Sequence, residues 1–204
     1  MTLCSDGHME DYLMKKEKGM HGYLNQKKKS LTLYVIINLI GVFAFYLLGK
    51  ALEAPMSTYV TIAAVLLVVP LGFFMTGLIT LRPWFSISTE QMEEFSAVTG
   101  DWQTSVTAYD LVLTVKEKQL YAGAVLFSSR ELVVYTDGKN MNLQQRRNEL
   151  SEMLRGTGYF TGVYMTDNWD SFMSRVKADV KADIGLSNKD ELYKQKERLL
   201  IYSV

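Results

Sequence analysis

Asp110 and Glu131 are two acids 21 residues apart in the part of the chain rich in strand signals. Two acids brought within reach of each other in a cleft can hold a divalent cation. Without that partnership Asp110 reads as a strand residue facing solvent or pairing with a lysine, and Glu131 as a charge at a hairpin edge. The surroundings narrow the chemistry further. Phe85–Val204 contains neither Cys nor His, which removes thiol nucleophiles, histidine triads, disulfides and nearly every zinc, copper or haem site. His8, His21 and the lone Cys4 all lie before residue 30, where the histidines read as solvated tail residues rather than as a metal pair. Arg146, Arg147 and Arg155 suggest an anion patch on one helix, although Arg147 falls on that helix's apolar stripe and would snorkel from it. Gly156, Gly158 and Gly162 follow a helix and precede a strand. A phosphate loop needs the reverse order, so these glycines read as a cap and turn.

The elements that must position these groups follow from pattern. Ser88 and Gln91 form a capping box that opens a short helix ending at Gly100, with Met92, Phe95 and Val98 inward. Val106–Val115 alternates, with Tyr109, Leu111 and Leu113 on one face and Asp110, Val112 and Thr114 on the other. Leu120–Phe127 and Leu132–Tyr135 are further strand signals, and the short connections imply an antiparallel meander. Asp137–Asn140 is a turn. A helix over Asn142–Arg155 carries Leu143, Leu150, Met153 and Leu154 inward, and Phe160–Met165 reads as a strand. Asp167 is placed to cap a helix whose Trp169, Phe172, Val176 and Val180 recur at helical spacing, with Gly185 ending it. Asn188–Leu200 forms a last, charged helix with Leu192 and Leu199 as its apolar points. The order αβββαβαα predicts an α+β sandwich of two or three layers over residues 85–204.

That order resembles the core of the restriction-endonuclease-like, PD-(D/E)xK fold over about 80 residues. The resemblance implies an Mg²⁺ site with Asp110 and Glu131 answering the family's two acids. Tyr109 stands where the family pattern has Pro, and Val133 where it has Lys, so the activity implied is that of a degenerate divalent-metal phosphodiesterase.

The front third of the chain obeys a different solvent. Ser30–Gly49 and Ser57–Leu81 contain no charged residue. Roughly 20 residues at a rise of about 1.5 Å cross a hydrocarbon layer of about 30 Å, so each stretch predicts a transmembrane span. Asn38 lies within the first span and is expected to hydrogen-bond across to the second. Pro70 lies within the second, where it should free the Leu66 carbonyl and kink the helix, with Thr61, Thr76 and Thr80 available to re-satisfy the freed group. Six lysines precede the first span and Arg82 follows the second, whereas the loop between them carries one Lys and one Glu. The positive-inside rule then places both termini in the cytoplasm. Tyr34, Tyr46, Tyr59 and Trp84 mark the interfaces. Residues 1–29 read as a flexible cytoplasmic tail.

Charge decides among partners. Residues 85–204 hold 14 basic against 17 acidic side chains, a net of −3. Such a domain lacks the basic face that nucleic-acid binding requires. The expectation is a multi-pass inner (plasma) membrane protein in which the lipid bilayer holds residues 30–84 as a hairpin and residues 85–204 recognise a protein partner without catalysis. A layout of this kind resembles that of many small bacterial membrane proteins and implies no activity. The alternatives are the Mg²⁺ phosphodiesterase and a small-ligand sensor.

Overall fold

The computed structural model describes residues 16–100, 106–116, 118–137, 142–156, 162–182 and 189–203. The chain divides into two compact units: Leu24–Phe85, and the residues up to Tyr23 together with those from Ser86 onward.

The first unit holds two long helices, α1 (Tyr23–Ala51, 29 residues) and α2 (Met56–Leu81, 26 residues). Both are long and apolar enough to cross a membrane, and 0% and 6% of their most apolar windows are buried. A core helix of a water-soluble protein would be mostly buried. Here Ile40, Val69 and Phe73 are 62%, 72% and 76% exposed, and large apolar side chains point outward on the faces turned away from the helix contact. Small residues allow the helices to approach: a Cβ on Gly41 would lie 3.7 Å from Leu67, and one on Gly49 would lie 3.0 Å from the Thr61 hydroxyl. Tyr34 stacks on Phe74 at 5.3 Å.

Two expectations for this unit change. Asn38 does not bridge the helices; its Nδ2 donates to the Tyr34 carbonyl one turn back, at 3.0 Å. Thr61 and Thr76 likewise donate to Ser57 and Gly72, their own i−4 carbonyls, at 2.8 and 2.9 Å. A polar side chain surrounded by apolar neighbours takes the nearest acceptor, and that is its own helix. Pro70 sits inside a helix that continues without interruption from Met56 to Leu81.

The second unit contains α3 (Thr89–Thr99), β1 (Val106–Val115), β2 (Lys118–Phe127), β3 (Glu131–Tyr135), α4 (Leu143–Gly156), β4 (Gly162–Thr166), α5 (Trp169–Ala182) and α6 (Lys189–Ile201). The sheet order is β1-β2-β3-β4. β1–β2 and β2–β3 are antiparallel, as short connections require, while β4 returns parallel to β3 after α4. Helices cover both faces. Leu150 and Leu154 of α4 and Leu192 and Leu199 of α6 bury one side; Phe95 of α3 and Phe172, Met173 and Val176 of α5 bury the other. The sheet is therefore the middle of three layers, which explains why β2 reads as an unbroken apolar run. The second face is dominated by rings: Phe172 lies 5.3 Å from Phe95, 5.8 Å from Tyr135 and 5.3 Å from Trp169.

Local signals hold at several points. Ser88 and Gln91 form the capping box at 3.1 and 3.2 Å, and the α5 stripe of Trp169, Phe172, Val176 and Val180 packs together on one face. The α5 cap is a correction: Asn168 Oδ1, not Asp167, accepts the Ser171 N–H at 2.9 Å. The turn at 138–140, the glycine turn after Gly156 and the helix stop at Gly185 lie outside the described residues.

The main departure is in β1. Val106 and Ala108 join the α4/α6 face, Tyr109 joins the α3/α5 face, and then Leu111, Leu113 and Val115 return to the α4/α6 face. The alternation slips by one residue at Asp110. β2 slips at the same level: Leu120 and Ala122 share a face with Val125 and Phe127. Because both strands carry one additional residue, the pairing register is undisturbed, with Tyr109 opposite Ala124 and Leu111 opposite Ala122. Asp110 accommodates the slip at φ +53°, a left-handed conformation that Asp tolerates better than most residues. Gly123, level with it, is required for space, since a Cβ there would lie 2.7 Å from Ile87 Cγ2.

The outer edge of β1 is sealed from two directions. Tyr109 N–H donates to the Gly19 carbonyl at 2.9 Å and Thr114 N–H to the Tyr202 carbonyl at 3.1 Å. Lys18 Nζ donates to the Ser203 carbonyl at 2.8 Å, joining the two seals. Residues 16–22, expected as part of a loose tail, are thus bonded into the folded unit, because an edge strand's unpaired amides and carbonyls recruit any compatible backbone.

Candidate functional site

Asp110 is a buried polar group of the sheet unit held by several hydrogen bonds. It is 2% exposed, and its carboxylate is surrounded by donors brought from three parts of the chain. Oδ2 accepts the Gly22 N–H at 2.6 Å and the Ser86 hydroxyl at 2.7 Å. Oδ1 lies 3.4 Å from the Tyr121 hydroxyl on β2. His21 is beside it, with Nε2 2.9 Å from the Ile87 carbonyl and its ring 6.2 Å from that of Tyr109, edge to face. Burial pushes the Asp110 carboxyl above the usual carboxylate range, and the Ser86, Gly22 and His21 interactions pull the other way without cancelling it. The Tyr121 hydroxyl is pushed up strongly, first by burial and then by the Asp110 charge.

Two expectations are corrected here. Asp110 neither faces solvent nor pairs with a lysine; the slip in β1 turns it inward. His21 is no solvated tail residue, and only knowledge of the β1 edge would have placed it. His8, its suggested metal partner, lies outside the described residues.

Glu131 belongs to a separate group. It ion-pairs with Arg175 of α5 through Oε1 and Nε, and the Arg175 guanidinium lies over the Tyr164 ring at 5.4 Å. Beneath them Asp179, 2% exposed, has Oδ2 3.3 Å from the Ser128 hydroxyl. That hydroxyl also accepts the Glu131 N–H at 3.2 Å, which fixes the β2–β3 turn. Burial lifts the Asp179 carboxyl, and the Glu131 charge adds to the lift. Next to the group a cleft of about 490 Å³ opens along α5 and β4, lined by Tyr164, Asp170, Ser171, Ser174, Arg175 and Ala178. Its lining offers hydroxyls, a carboxylate and a guanidinium. A serine nucleophile there has no histidine base beside it, because the unit's described histidine stands with Asp110.

The two acids singled out from sequence are therefore not brought together. Asp110 is level with Gly123 on β2, whereas Glu131 is level with Ser128. Five residues of strand separate those levels, about 16 Å at roughly 3.3 Å per residue, far beyond what one cation spans. Val133, at the position of the resembled family's lysine, is wholly buried among apolar residues. Among the described residues no cluster of three His, Cys, Asp or Glu side chains is close enough to hold a metal ion. Of the suggested arginine patch, Arg146 is paired with Glu149 at 2.9 Å.

Comparison with protein-family models, with curated proteins and with solved structures returns no match to this chain.

Proposed function

We propose that this chain is a multi-pass protein of a cell's inner (plasma) membrane, held there by the α1–α2 hairpin. Both termini lie on the cytoplasmic side, and the α+β unit recognises a protein partner without catalysing a reaction. The observation that carries the reading is the outward apolar surface of α1 and α2: two helices of this length, with large apolar side chains exposed on the faces turned away from each other, suit an apolar solvent. Charge supports the orientation. Lys28 Nζ donates to the carbonyls of Arg82 and Trp84, so the lysine run and Arg82 share one end of the hairpin, while Lys50 and Glu53 occupy the connection at the other. The polar cleft beside α5 is the surface offered to the partner. Separation of Asp110 from Glu131 leaves the phosphodiesterase alternative without its ligand pair.

Alkaline carbonate extraction of membranes containing the full chain tests the anchor: the protein stays in the pellet. A reporter fused after Val204 tests the orientation and is active only on the cytoplasmic side. Release of the chain into the supernatant, or an externally accessible reporter, overturns the reading.

A further inference from the structure

We propose that the Asp110 carboxylate is a latch that closes two chain crossings at once: the strap Lys16–Gly22, where the chain is about to leave the sheet unit, and Ser86–Ile87, where it returns. One oxygen, Oδ2, accepts from both crossings, Gly22 at 2.6 Å and Ser86 at 2.7 Å. These donors stand 88 and 24 positions from Asp110 in sequence, so the carboxylate is not satisfying its own turn. His21 to the Ile87 carbonyl, at 2.9 Å, ties the two crossings directly to each other. Among the described residues no Lys or Arg forms an ion pair with Asp110. Its burial is therefore offset by hydrogen bonds from the two crossings rather than by an ion pair.

The strap turns at glycines. Gly19 and Gly22 hold φ +87° and +79°, and each frees the backbone at one end of the contact. Between them lies the Gly19 carbonyl that seals Tyr109 N–H. Opening the latch lifts the strap and uncovers the β1 edge at Tyr109, while the β2–β3 ladder stays paired. This inference concerns the sheet unit alone and is independent of the membrane reading.

Hydrogen exchange on the full chain in detergent micelles tests it, comparing the parent with Asp110→Asn and Ser86→Ala. In both variants the Gly22 and Tyr109 amides exchange at least about ten-fold faster, and the β2–β3 ladder amides are unchanged. Ser86→Ala is the decisive arm, because Ser86 touches neither amide and its hydroxyl is linked to the Gly22 N–H through Asp110 Oδ2. Parent-like exchange at Gly22 and Tyr109 in Ser86→Ala overturns the proposal, as does parent-like exchange in Asp110→Asn. Should Asp110→Asn fail to fold, Ser86→Ala decides alone.

Discussion

Polar side chains are satisfied in opposite ways in the two units. In the hairpin Asn38, Thr61 and Thr76 all donate one turn back along their own helix. In the sheet unit the determining bonds run far in sequence: Gly22 to Asp110, Trp169 Nε1 to Glu94 at 2.7 Å, and Lys18 to Ser203 across 185 positions. Within the spans these polar atoms therefore carry no information about the partner helix, whose approach is governed by Gly41 and Gly49; side chains cross at the hairpin's two ends, where Ser57 donates to the Gly49 carbonyl and Lys28 to those of Arg82 and Trp84. The sheet unit's polar atoms specify which segments meet. Removing a polar group should be nearly silent in the first and costly in the second.

The comparison can be tested at graded strength. The largest effect belongs to the ring cluster. Phe172→Ala removes a fully buried ring against Phe95, Tyr135 and Trp169 and should destabilise the sheet unit by about 3–5 kcal/mol, read as a lower denaturant midpoint. Next is a charge in the outward face of the hairpin. Val69→Lys should cost about 2.5–3.5 kcal/mol of insertion, read as protein released by carbonate; full retention of the variant would contradict the lipid assignment.

The third test compares Asp110→Asn with the parent over a pH series. The folded chain binds the raised Asp110 proton more tightly than the unfolded chain does. This contribution to stability is therefore fullest in acid and is lost as pH rises from the ordinary carboxylate value through the raised one. The neutral variant lacks that dependence. Between about pH 3.5 and 7 the difference in melting temperature should move in the variant's favour; movement the other way would show that the hydrogen bonds outweigh burial. Asp179, lifted in the same direction, stays in both proteins. Smaller still is Asn38→Leu, which should leave retention in the membrane unchanged or improved. Smallest is Lys116→Ala: the Lys116–Glu152 pair is 58% and 62% exposed, and an exposed pair of this kind contributes little, so the variant should melt with the parent.

What was legible in the sequence follows the same division. The two long apolar helices could be read from two uncharged runs, since length and composition alone mark a helix fit to cross a membrane. Ser88–Gln91 and the Trp169–Val180 stripe were legible because a cap and a 3.6-residue period are local. The slip at Asp110 was not, because a side chain's face was inferred from strict alternation and nothing nearby announces an additional residue in each strand. Gly123 was the available signal: a glycine within an otherwise apolar strand marks a bulge or a close backbone approach. Glu131 was singled out for its charge, but its partner, Arg175, is 44 positions away and belongs to a helix whose rotation only the packed structure fixes. The roles of His21 and Gly22 depend wholly on which segment reaches the β1 edge.

The bond between Lys18 and Ser203 has a consequence for biosynthesis. At about 5–20 residues per second, the ribosome needs roughly 10–40 s to make the 185 positions between them. The amino-terminal strap therefore emerges first and waits while α1 and α2 enter their solvent and the strands are translated. The Thr114–Tyr202 part of the β1 seal is a late event, and until it forms that end of the nascent β1 border is open to chaperones and to neighbouring chains.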